Sequence, residues 1–170
     1  MRGWFSILML AALSLPAAAE PAARISILSY GTYSVENEVH EPSAADPTGR
    51  RGRVSGVRLI EQVDYICARL GIRFGIEYAL TPGSADPAIA PKPLRLVMRF
   101  PEEGIVNDKG QRFLTSDWDR ILVPGLPNVS LYHFEESWEM VPGPWSFEFY
   151  DGDVKIAEQK FTVSTRCGIS

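Results

Sequence analysis

The chain has 170 residues, 45% of them hydrophobic and 22% charged, with 14 Gly, 13 Pro and 2 Cys. Those proportions exclude a disordered, collagenous or disulfide-dense chain. With 17 basic and 21 acidic side chains the formal charge is −4, which offers no general attraction to nucleic acid or to an anionic membrane.

Residues 1–19 read as an export signal. Arg2 precedes an apolar run from Phe5 to Leu15, and Pro16-Ala17-Ala18-Ala19 supplies the small-residue cleavage end. The run is shorter than the ~20 apolar residues that span a bilayer. No Cys lies near the cleavage point for a lipid anchor, and no Arg-Arg pair precedes the run. Residues 20–170 are then expected to form one domain in a bacterial periplasm or outside the cell, with no integral membrane segment. An oxidising compartment favours pairing Cys67 with Cys167 over leaving Cys67 a free core residue, although its alternation with Val57, Leu59, Val63 and Tyr65 also suits a core position.

Alternation marks seven candidate strands. Residues 25–35 and 57–67 alternate weakly; in the second, Leu59, Val63, Ile66 and Leu70 would equally share a helix face. Residues 72–80 are the clearest, with Ile72, Phe74, Ile76, Tyr78 and Leu80 on one parity and Pro82-Gly83 as the stop. Residues 94–100 repeat the pattern with Leu94, Leu96, Met98 and Phe100. Ser116-Asp117-Trp118-Asp119 reads as the cap of a single helical turn. Residues 129–140, 145–150 and 154–163 complete the set. Seven strands with little helical periodicity predict an all-β, two-sheet antiparallel sandwich of the immunoglobulin-like kind.

The last hairpin has two possible registers. A two-residue Asp151-Gly152 turn would pair Phe149 with Val154 and strand Phe161 and Val163 on the wrong face. A three-residue loop with a left-handed Gly152 instead aligns Trp145, Phe147, Phe149, Ala157, Phe161 and Val163, and is preferred for that continuous apolar face.

Those residues also carry a resemblance. Gly143-Pro144-Trp145-x-Phe147-Glu148, a glycine turn, and Ala157-Glu158-x-x-Phe161-x-Val163, with Trp138-Glu139 leading into Pro142-Gly143, resemble the C-terminal end of an exported bacterial family known only as a domain of unknown function. The resemblance is sharp over residues 138–163. It implies an immunoglobulin-like fold and bacterial export, and its motif carries no catalytic residue.

The chemistry-bearing residues are few. His133 and Glu135 would share a strand face, and His40, between Glu38 and Glu41, is the one further imidazole available; two ligands do not close a zinc site. Glu135, Glu136 and Glu139, with Asp117 and Asp119, provide carboxylates of the kind glycoside hydrolysis pairs across a cleft, or a solvated strand end. Asp151-Gly152-Asp153 lacks the spacing of a calcium loop, and Asn128-Val129-Ser130 is a formal glycosylation sequon. No nucleophile elbow, His-Glu-x-x-His or phosphate-cradling loop is present. No catalytic, cofactor or metal residues are therefore assigned, and no cofactor is expected. Residues 81–93, with four Pro, read as a stiff connector. The Gly- and Pro-rich stretch 40–56 carries Arg50, Arg51 and Arg53, the expected partner-contact loop. The sequence reading is an exported binding module for an unknown protein or small ligand of the cell envelope. Its rivals are a hydrolase using His133 with Glu135 or Glu136 and a structural accessory domain of an envelope complex.

Overall fold

The strict alternation of residues 72–80 puts every second side chain on one face, and a sheet must bury that face against another layer. A computed structural model of the chain, describing residues 23–82 and 91–168, shows how. Residues 1–19 and most of the proline-rich connector lie outside the described residues. Among those described, strands β1 (Ala23–Ser34), β2 (Asn37–Pro42), β3 (Arg50–Ser55), β4 (Arg58–Glu61), β5 (Tyr65–Cys67), β6 (Arg73–Pro82) and β7 (Lys92–Arg99) come first. They are followed by β8 (Ile105–Val106), β9 (Arg112–Phe113), β10 (Thr115–Leu122), β11 (Pro127–His133), a 3-10 turn at Ser137–Glu139, β12 (Gly143–Asp151) and β13 (Val154–Ser164).

Sheet one has the order β11-β6-β1-β4 and sheet two the order β10-β7-β12-β13-β5. Their facing sides enclose one core: Phe74, Ile76, Tyr78 and Leu80 from β6 meet Leu94, Leu96 and Met98 from β7 and Trp145, Phe147 and Phe149 from β12. The fold is an immunoglobulin-like sandwich. Pairing is antiparallel except where β5 runs parallel to β13.

Nine strands make up these two sheets because two local readings change. Residues 57–67 form neither one strand nor a helix: β4 pairs with β1 in sheet one, and β5 pairs with β13 in sheet two. The chain changes layers at Gln62-Val63-Asp64, so parity is not carried through; Ile66 is fully buried while Tyr65 is half exposed. Residues 116–119 are not a helical turn but part of β10, whose register runs Thr115 to Arg99 through Leu122 to Lys92. The strand expected at 129–140 ends at His133, after which Glu139 closes a turn. β1 alternates weakly in sequence because a bulge at Leu28 switches parity, burying Ile25 and Ile27 before it and Tyr30 after it.

The final hairpin takes neither expected turn. Asp151 pairs with Val154 around a tight Gly152-Asp153 connection, with Gly152 at φ 59°, and a bulge at Ile156 then sets Phe149 against Ala157 and Trp145 against Phe161. The extra residue sits in the strand rather than in the loop. The predicted apolar face survives, since Trp145, Phe147, Phe149, Phe161 and Val163 are all buried together. Cys67 and Cys167 are joined by a disulfide, with Cα atoms 5.6 Å apart.

On the outer side of sheet two, Glu148 is nearly inaccessible yet ionised. Burial alone would raise its carboxyl. Arg99 overrides this by donating from Nε and Nη2 at 3.0 Å each, helped by the Tyr150 hydroxyl at 2.7 Å and Ser146 at 3.1 Å, and holds the pKa at about 2. A folded pKa below the ordinary 4.5 contributes stability above pH ~4.5 that is lost as pH falls toward 2. The full shift corresponds to roughly 3 kcal/mol. Because the Arg99 side chain is half exposed, solvent screening reduces this to about 1–2 kcal/mol. Denaturant titrations from pH 5 to pH 2 are expected to show that loss in the native protein and a flatter profile in Glu148→Gln.

Candidate functional site

β10 breaks the rule that an inward strand face is apolar. Its inner parity reads Ser116, Trp118, Arg120 and only then Leu122, while Asp117, Asp119 and Ile121 point to solvent. β10 is the edge strand of sheet two, and the edge strand of sheet one on the same side is β11. Between these edges the interior is polar rather than filled by hydrocarbon. A cleft of about 320 Å³ opens there, lined among others by Trp118 and Arg120 of β10 and by Ser130, Tyr132 and His133 of β11.

The cover of the cleft is the β2–β3 hairpin. Its tip is held by local chemistry: Thr48 donates from its backbone nitrogen (3.2 Å) and its hydroxyl (2.9 Å) to Asp46, and Asn107 Nδ2 donates to the Pro47 carbonyl at 3.2 Å. The ladder register puts Glu38, His40 and Arg50 on one face. That face docks on β6 and the end of β11. Arg73 donates to Glu38 at 2.7 Å, and Arg50 donates to Glu135 at 2.8 Å. His133 Nδ1 lies 3.5 Å from both the Glu38 and Glu135 carboxylates, and His40 Nε2 lies 3.7 Å from Glu135. Gly52 belongs to this contact, because a Cβ there would run into the Glu38 carboxylate. From the other side of the hairpin Arg51 stacks on Trp118, 4.2 Å from the ring centroid, with 3.4 Å contacts to Ser116 Oγ and the Asp117 carbonyl.

Beneath these pairs lies a buried carboxyl, Glu139, 1% exposed. It accepts the Tyr132 hydroxyl at 2.8 Å and the backbone N–H groups of Glu135 and Glu136 at 2.7 and 2.6 Å. Burial pushes its carboxyl above the ordinary range and pushes the Tyr132 hydroxyl well above its own. Burial also lowers His133, and the positive charge of Arg73 adds to that. Asp46 is raised by burial, and Arg51 is lowered by burial but remains a cation.

The site residues read from sequence are thus partly gathered. His40, His133 and Glu135 converge, as does Glu139 from below. Glu136 is exposed, and Asp117 and Asp119 face away from the cleft, so the acids do not assemble into one set. Among the described residues no group of three or more His, Cys, Asp and Glu has an arrangement that holds a metal ion. Residues 40–56 are an ordered hairpin, and its arginines diverge: Arg50 to Glu135, Arg51 to Trp118, and Arg53 to Glu41 at 2.8 Å on the solvent side. Sequence reading missed Glu38, Asp46, Arg73, Trp118 and Arg120. The available signal was a strand-length alternation in 115–122 whose inner parity is polar.

The family model described as "Domain of unknown function (DUF3859)" matches residues 22–163. The chain belongs to this family. The DUF3859 match takes in both sheets, the hairpin and the cleft, and includes the hairpin motif at 138–163 that suggested the family. An immunoglobulin-like protein from Pseudomonas aeruginosa, known from a crystal structure, is 28% identical, covers 86% of this DUF3859 chain and 100% of its own, and superposes with a TM-score of 0.58. No curated protein matches. Among the described residues no helix is long and apolar enough to cross a membrane.

Proposed function

We propose that this domain is an exported binding module of the bacterial envelope, without chemistry of its own, and that it takes a small ligand in the cleft beneath the β2–β3 hairpin. One observation carries the reading. A sandwich edge that ordinary packing would fill with hydrocarbon instead presents Trp118, Arg120 and Ser130 to a cavity of about 320 Å³. That volume is at the small end of ligand sites. The signal-like residues 1–19 and the Cys67–Cys167 bridge support the compartment.

The hydrolase reading on His133 with Glu135 or Glu136 gains nothing from the geometry, because Glu135 is engaged by Arg50 and Glu136 faces solvent. A thermal-shift screen of the native protein against small charged and neutral compounds tests the proposal. A compound at about 100 times its Kd is expected to add roughly 2.7 kcal/mol of stability, and Trp118→Ala should abolish that gain. If no compound stabilises the protein, or if hits are indifferent to Trp118→Ala, the cleft is not the binding site.

A further inference from the structure

The charges around the cleft do not cancel evenly. On the β11 side every carboxylate is engaged: Glu38 by Arg73, Glu135 by Arg50, and Glu139 by the Tyr132 hydroxyl and two backbone N–H groups. On the β10 side two guanidinium groups, Arg51 and Arg120, line the cavity and interact repulsively with each other. Neither forms an ion pair among the described residues. Arg51 has only its stack on Trp118 and two 3.4 Å contacts. Arg120 makes no hydrogen bond among the described residues, and its Nε is buried without a partner. The Trp118 indole nitrogen is likewise buried without an acceptor. Each of these groups is a donor and none can accept. Asp46, the carboxyl nearest in charge to Arg51, is occupied by Thr48.

Two half-buried cations with no directly paired carboxylate, Arg51 being offset only at a distance by Asp46 and Asp117, held about a cavity of small-molecule size, are arranged as one half of a charge-assisted interaction. We infer that the cleft recognises an oxyanion group, a carboxylate or phosphate on a small molecule, shared between Arg51 and Arg120 with Trp118 holding Arg51 in place. The inference rests on the cleft being the binding site, and it narrows the ligand to an anion. Arg120 comes from the sandwich and Arg51 from the hairpin, so a bound anion also ties cover to body.

The test is a titration of the full chain at low ionic strength with inorganic phosphate, succinate, acetate and, as the neutral probe, glucose. Binding is followed by thermal shift and by the NMR resonances of arginine Nε–H and tryptophan indole N–H. Phosphate or succinate is expected to move the Trp118 indole signal and to raise the melting temperature, and the comparison of phosphate with the carboxylates identifies the preferred oxyanion. Arg51→Gln and Arg120→Gln should each weaken binding about tenfold or more, whereas Arg58→Gln, whose partner Glu36 lies on the exposed surface, should not. With no ligand, Arg120→Gln is expected to leave the melting temperature unchanged or higher, because it removes a repulsion. A marked fall would give Arg120 a structural role and overturn the inference. Absence of any anion-dependent shift would also overturn it. If neutral compounds bind in a Trp118-dependent way while the anions do not, this inference fails and the cleft proposal stands.

Discussion

Replacing Phe74 with alanine is expected to lower the unfolding free energy by about 4 kcal/mol, within the range for emptying a buried aromatic site. Phe74 is fully buried near the start of β6. Its ring centroid lies 5.2 Å from that of Phe161, 5.4 Å from Phe134, 5.6 Å from Trp145, 6.0 Å from Tyr132 and 6.2 Å from Phe147. These neighbours come from both sheets and from the turn after β11, and most meet it edge-on, the orientation that favours ring quadrupoles. The surrounding rings cannot close the void without leaving one another, so the cavity persists. Denaturant unfolding should show the loss as a shifted midpoint with an unchanged slope. Phe74→Leu, which keeps most of the volume, is expected to cost under about 1.5 kcal/mol. Since Phe74 pairs in register with Tyr132, the alanine variant should also loosen the Tyr132–Glu139 bond beneath the cleft. Equal losses for leucine and alanine would show that the ring and its contacts, rather than the amount of surface and volume buried, set the stability here.

Removing the disulfide is expected to be comparably severe. Cys67 and Cys167 are 100 positions apart in sequence. Closing a loop of that length removes unfolded-state entropy worth roughly 4–5 kcal/mol in the chain-entropy model. For a domain of this size that is a fall of about 10–20 °C in Tm. The double variant Cys67→Ser/Cys167→Ser and the reduced native protein should lose similar amounts, because both act mainly on the unfolded chain. β5 has only three residues, and its pairing with β13 holds three register positions, so native contacts alone are a weak substitute for the bond. An unchanged midpoint in the double variant would contradict the loop-closure account.

The architecture was readable wherever one periodicity ran unbroken through a strand. β6, β7 and β12 each keep a strict inward parity of large apolar residues, and each forms where expected. Reading failed where parity is interrupted by something local sequence does not announce. Leu28 and Ile156 are bulge residues that exchange the two faces within one strand. Gln62 to Asp64 carry the chain from one layer to the other, so β4 and β5 cannot share a face. β10 was misread for a different reason. Period-two reasoning looks for hydrocarbon on one side, and Trp118 and Arg120 present polar groups to the cleft.

The same distinction separates the parts of the candidate site. His40, His133 and Glu135 drew attention as chemical types, and the fold brings them together. Glu38 and Arg73 are ordinary surface residues in sequence, and only the hairpin's return over β6 makes them a pair. Glu139 was read as one of several solvated acids, whereas its three donors make it the organiser of a turn. The Trp138-Glu139 part of the family motif therefore has a physical meaning: it shapes the chain end on which His133 and Glu135 stand.

The covalent link between Cys67 and Cys167 has a mechanical consequence. A pull applied between the two ends of the chain passes through the sulfur bridge and bypasses everything between those cysteines. Strands β6 to β13, including all of the cleft's β10 and β11 walls, are shielded from extension. The segment bearing the load holds β1 to β5, and with it the hairpin that covers the cleft. Tension would thus act on the cover and on β1, β4 and β5, while β6 to β13 stayed closed off within the bridge.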